Sequence, residues 1–245
     1  MRAYSAPSPG IFTLHEVQRW LIGSLIMAGL WLVCGPAMAH DLTGGDANFV
    51  GNNSGAAIAP FIYLGAKHMI TGYDHILYLA GVIFFLRHLK HVVQFVTLFA
   101  VGHSLTLILA VAVNWHVSEV LIDAIIALSV VYKALENMGG LDGLGRWKPD
   151  SRLAVFVFGL FHGLGLATSL QAMAPAEDGL FINLLSFNIG VEIGQLLALS
   201  LLFLLFTLLR RQSTFERYAF ASNTVIMCAG FIFLLIQIGN GLIAV

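Results

Sequence analysis

Apolar stretches close to the width of a lipid bilayer recur along the whole chain, at residues 60–86, 92–113, 119–137, 153–170, 181–209 and 218–238. The hydrocarbon core of a bilayer is ~30 Å thick and takes about 20 helical residues to cross. The chain therefore reads as an all-α polytopic membrane protein, a bundle of six transmembrane helices. Composition agrees: charged residues make up 10% of the 245, against roughly 25% in soluble domains. Hydrophobic residues make up 58%, which excludes a disordered chain. The net charge is −1 and no basic stripe exists, so nucleic acid is excluded as a partner.

Residues 1–39 carry the marks of a cleavable signal peptide. Arg2 and Arg19 supply positive charge, Leu21–Val33 is a short apolar core, and Pro36, Ala37, Met38 and Ala39 end it in small residues. Cleavage after Ala39 leaves 40–57 as a short periplasmic segment ahead of a transmembrane domain at 58–245. It also removes Cys34, so Cys228 remains without an internal disulfide partner. The rival reading keeps the segment as an anchor, because its leading region is long and contains Glu16.

Lysine and arginine mark cytoplasmic loops. Arg87 and Lys90 lie in the first connection, Arg146, Lys148 and Arg152 in the third, and Arg210, Arg211 and Arg217 in the fifth. The second and fourth connections have neither residue type. Odd loops are then inside, even loops outside, and the mature N-terminus is periplasmic, as a secretory signal requires. Lys133 near the inner end of its helix fits the same orientation, and Lys67 snorkels to the outer interface. Thr71 and Gly72 interrupt the first stretch, so a break is expected near Gly72.

Ionisable groups within spans cost about 2.5–3.5 kcal/mol each on insertion scales and need partners, water or an ion. The first span carries His68, Asp74 and His75, the second His103, the third Asp123, the fourth His162, and the fifth Asn188, Glu192 and Gln195. At 1.5 Å per residue, His103, His162 and Glu192 lie about 12–16 Å below the outer ends of their helices, with Asp74 and His75 roughly 18 Å above the inner end. Four helices thus bring ligand types to one layer, while Asp123 lies higher, at the mouth. Asn188, Glu192 and Gln195, spaced i, i+4, i+7, share one helix face. Gly190 and Gly194 form a small-xxx-small pair, and Gly159 and Gly163 flank His162, both suited to close helix contact. A single buried histidine such as His103 is as readily a helix-contact group. The Asp74-His75 pair, with His68 six positions before Asp74, weighs the set toward metal. Imidazole with carboxylate suits nickel, cobalt, zinc, copper or iron, whereas magnesium and calcium prefer oxygen alone.

At these residues the sequence resembles the HupE/UreJ family of bacterial nickel/cobalt permeases. His68, Asp74 and His75 fit the family's H-x5-D-H metal motif. Phe99 to Leu107 is similar to its second-helix block, and Asp123, Ile126 to Ser129, Glu136 and Asn137 to its third. Phe158 to Ala167 resembles the fourth, and Phe187 to Leu196 the fifth. One departure places the chain in a divergent branch: where nickel-uptake members repeat a His-Gly-x-Glu after Phe-His-Gly, it has Gly165, Leu166, Ala167 and Thr168. The resemblance implies a bacterial inner-membrane permease for a divalent transition metal, nickel or cobalt.

The metal site expected is His68, Asp74, His75, His103, His162 and Glu192, supported by Asp123, Asn188 and Gln195. Partners expected are the bilayer, the metal ion, and a homo-oligomer or periplasmic metal-delivery protein. No G-x-x-x-x-G-K-[ST] loop exists, so transport is passive, ion-coupled or driven by a partner. The alternative function is a membrane-embedded metalloenzyme or metal chaperone, since three or four ligands with an open position also describe a catalytic metal. In that case His40, as a new N-terminus, offers an amine and an imidazole to copper. A third alternative is a haem-binding subunit with His103 and His162 as axial ligands.

Overall fold

The computed structural model describes residues 55–172 and 179–243, which belong to one compact unit, Ala39–Val245. The expected signal peptide, Cys34, His40 and most of the 40–57 segment lie outside the described residues. Among these, regular structure is helical throughout: α1 (Ile58–Thr71), α2 (Tyr73–Ile83), α3 (Leu89–Ala112), α4 (Glu119–Asn137), α5 (Ser151–Ala172), α6 (Leu180–Arg210) and α7 (Phe215–Ile243), with a short 3-10 segment at Asp142–Trp147.

Among the described residues, four helices are long and apolar enough to cross a membrane: Leu89–Ala112, Ser151–Gln171, Leu180–Arg210 and Phe215–Leu242. The other two apolar stretches differ for physical reasons. Glu119–Asn137 carries Glu119, Asp123, Lys133 and Glu136 within 19 residues. The first stretch is cut into 14-residue α1 and 11-residue α2 at Gly72, whose ψ of 103° is extended rather than helical. The break expected there is present. Gly72 N–H donates to the His68 carbonyl at 2.9 Å, closing α1. A Cβ at Gly72 would stand 2.8 Å from His75 Nδ1 and 3.1 Å from the His68 carbonyl, so glycine makes room for the histidine ring. At the other end of α2, the Arg210 guanidinium reaches over from α6, donating to the carbonyls of Ile83 (2.6 Å) and Phe84 (3.2 Å). It satisfies carbonyls that the end of a helix leaves without partners.

The helices pack mainly in pairs, α1 with α6, α3 with α5, and α4 with α7, while α2 touches α1, α4, α6 and α7. Glycines set two of these seams. In the α3–α5 seam, a Cβ at Gly102 or Gly159 would stand 2.5 Å from the carbonyl oxygen of Phe156 or Phe99, and one at Gly163 would collide with the His103 carbonyl. In the α1–α6 seam, a Cβ at Gly65 or Gly190 would collide with the carbonyl of Phe187 or Ile62, and one at Gly194 would stand 2.7 Å from that of Ala66. Backbones approach this closely where small residues line membrane helix contacts.

Between the pairs lies a core that includes Tyr78, Phe99, Leu107, Ile126, Leu166 and Phe187, each less than 2% exposed. The outer surface is apolar as well: Val225, Leu235 and Leu242 on α7 and Leu197, Leu201 and Leu204 on α6 are each more than half exposed. Such a surface matches lipid, not water, and the chain is a multi-pass membrane protein in contact with the bilayer.

Candidate metal centre

The break at Gly72 starts a fresh helix just before Asp74 and His75, turning both into the interior at the first turn of α2. Asp74 is 1% exposed and His75 is fully buried. His75 Nδ1 lies 3.0 Å from Asp74 Oδ1. A carboxylate that accepts from one ring nitrogen fixes the tautomer and leaves the lone pair on the other, so His75 presents Nε2 as its ligand atom.

Three further histidines surround that ring. His162, fully buried on α5, stands edge-on to it with ring centroids 4.7 Å apart. His68, in the last turn of α1, is 5.2 Å away, and His103 on α3 is 6.1 Å away. His162 Nε2 lies 3.4 Å from Ser129 Oγ on α4, while that hydroxyl spends its proton on the Ile126 carbonyl at 2.6 Å. Ser129 can therefore accept only, which gives His162 an Nε2–H and leaves Nδ1 as its ligand atom. Asp74, His75 and His162 offer ligand atoms that all lie within 4.8 Å of one another, and this group could hold a metal ion. Two imidazoles and a carboxylate form a borderline donor set, suited to late first-row divalent metals.

The structure thus brings His68, Asp74, His75, His103 and His162 into one buried cluster drawn from α1, α2, α3 and α5. It does not bring Glu192 there: that residue is exposed on α6. Asn188 and Gln195 are buried on the same helix, 6% and 1% exposed, and Phe187 beside Asn188 has its ring 6.2 Å from that of His68. Asp123 is half-buried near the start of α4. Two neighbours of the cluster lie outside the expected site residues. Ser129, part of the third-helix block, is one, and Tyr78, with its ring centroid 5.6 Å from His162, is the other. Tyr78 follows His75 by three positions, a spacing that places both on one helix face, and that was the signal available.

A family model described as HupE / UreJ protein matches residues 45–241. The chain belongs to the HupE / UreJ protein family. HupE / UreJ proteins are membrane transport or accessory proteins rather than enzymes, so the metalloenzyme alternative gives way. The family is associated with nickel and cobalt transport, which makes a metal transporter the general description of this member. Comparisons with curated proteins and with solved structures find no match.

Proposed function

We propose that the protein is a permease for a divalent transition metal, nickel or cobalt, with the buried histidine cluster as its binding site. The observation that carries this reading is the convergence of Asp74, His75 and His162 within 4.8 Å of one another, in the interior of a HupE / UreJ family member. His68 and His103, their rings within 6.1 Å of the His75 ring, are the further ligands. In this reading all six apolar stretches cross the inner membrane, α1 and α2 doing so together, and the mature N-terminus is periplasmic.

The metal is the substrate. It arrives from the periplasm, is taken by His75 Nε2, His162 Nδ1 and the Asp74 carboxylate, and leaves inward. Asp74 does two things: it orients His75 and supplies negative charge where four imidazoles are neutral. Neutrality is required, because a protonated imidazole has no lone pair for the ion. Glu192 plays no part in the cluster.

The test is uptake of radioactive nickel and cobalt by cells producing the full chain, with elemental analysis of the purified protein. Wild type should accumulate one of the two metals and carry it through purification. His75→Ala, present in the membrane at the wild-type level, should do neither. Undiminished uptake and metal content in His75→Ala would sink the reading.

A further inference from the structure

The membrane interior holds a second charged site, which the metal cluster does not use. Lys133 and Glu136 on α4 form an ion pair, Nζ to Oε2 2.7 Å, with side chains 9% and 6% exposed. The other carboxylate oxygen of Glu136 accepts from Ser151 Oγ at the start of α5. The Lys133 stem packs on Gly81 of α2, its Cγ 3.1 Å from where a Cβ of that glycine would be. The pair is thus bound to α2 and α5, the helices that carry His75 and His162.

Its position relative to the cluster follows from helix geometry. Ser129, which touches His162, Lys133 and Glu136 are spaced i, i+4, i+7 and lie on one face of α4. All three are buried. From Ser129 to Glu136 the helix rises roughly 10 Å, toward the Arg146, Lys148 and Arg152 loop. Two phenols stand along the way. The Tyr78 ring lies against His162, and the Tyr78 and Tyr132 rings lie 5.8 and 5.2 Å from that of Phe158. Both phenolic oxygens are buried without a hydrogen-bond partner among the described residues, and Tyr78 is fully buried. Buried hydroxyls are ordinarily paired. Two that are not leave unused polar capacity close to the cluster.

Resting on the transport reading above, we infer that Glu136 is a second station for the metal on the cytoplasmic side of the cluster, and that the Lys133 ammonium is its tethered stand-in. The ammonium occupies the carboxylate while the route is closed and swings away when a divalent ion arrives. A cation tied to the chain cannot leave, so it seals the exit against leakage without itself being transported.

The deciding variant removes both charges together, Lys133→Met with Glu136→Gln. It leaves no uncompensated charge, and buried ion pairs are often replaceable by neutral residues without loss of stability. Cobalt(II) binding to the purified full chain is measured by equilibrium dialysis, and influx by a chelating fluorophore trapped in proteoliposomes. The double variant should bind cobalt within roughly twofold of wild type while its influx falls about tenfold or more. Influx within roughly twofold of wild type would overturn the inference. So would loss of binding, which would make the pair a brace for the cluster. If the double variant does not fold, Glu136→Asp keeps the charge one methylene short; it should bind normally and transport more slowly, and a wild-type rate overturns the inference. A wild-type protein that neither binds nor transports cobalt or nickel would instead refute the transport reading itself.

Discussion

His75 is held by chemistry on one side of its ring and faces other imidazoles on the other. Asp74 Oδ1 lies 3.0 Å from Nδ1, so Asp74→Asn keeps the shape of the pair but loses the charge and frees the tautomer. Losing such a partner weakens metal binding by about ten- to a hundredfold, and because the carboxylate is also a proposed ligand, equilibrium dialysis with cobalt or nickel should read at least that loss. His75→Ala should lose more. Because only a neutral imidazole has a lone pair for the ion, protons compete with it. Binding should therefore weaken steadily as pH is lowered, and the same dialysis repeated across a pH series reads the slope. At this scale the sequence was only partly legible. The His68, Asp74, His75 spacing and the depth of His103 and His162 pointed to residues that do converge. The i, i+4, i+7 spacing also put Glu192 with Asn188 and Gln195, but Glu192 is exposed while the other two are buried. Periodicity gives the angles between side chains and says nothing about where the packed arc of a helix ends. Glu192 falls just beyond that edge, about 40° around from Asn188 at 100° per residue.

Glycine seams hold the helices at close range. A Cβ at Gly163 would collide with the His103 carbonyl, whereas one at Gly239 on α7 meets nothing within 4 Å. Gly163→Ala should destabilise the purified protein by about 1–3 kcal/mol through overpacking, and should disturb His103 and His162 together. Gly239→Ala should be neutral or slightly stabilising, since alanine is the better helix former. Thermal unfolding in detergent, the two variants side by side with wild type, separates these outcomes. The seams were legible in advance at Gly159, Gly163, Gly190 and Gly194, because small residues one turn apart have few other uses in a membrane helix. The break at Gly72 was legible too. The Lys133–Glu136 pair was not: Lys133 read as an interfacial charge, and nothing in spacing alone could show that Glu136, three residues on, would turn inward with it.

For the whole molecule, the distribution of Lys and Arg makes a prediction that needs no metal. With Cys34 and Cys228 replaced by serine, a cysteine at His116 should react with an impermeant maleimide added to spheroplasts. One at Arg146 should react only after the membrane is opened. Both positions are exposed. Equal labelling from outside would contradict the orientation drawn from the positive charges. The hydropathy of α3, α5, α6 and α7 was enough to read a membrane protein from the sequence. α4 is the more polar stretch, with four charged residues in its 19, and hydropathy cannot see that two of them, Lys133 and Glu136, are buried against α2 and α5.

The break at Gly72 has one more consequence, which concerns the field at the cluster. A helix that begins inside the protein directs the partial positive charge of its N-terminus, about half an elementary charge, at whatever lies there. For α2 that is the histidine cluster proposed to take the ion. Asp74 in the first turn outweighs it, so with neutral imidazoles the site is slightly negative and attracts a cation. Once a divalent ion is seated, about one and a half positive charges remain uncompensated. In the proposed permease, the same half-helix that shapes the site thus limits how long the ion stays.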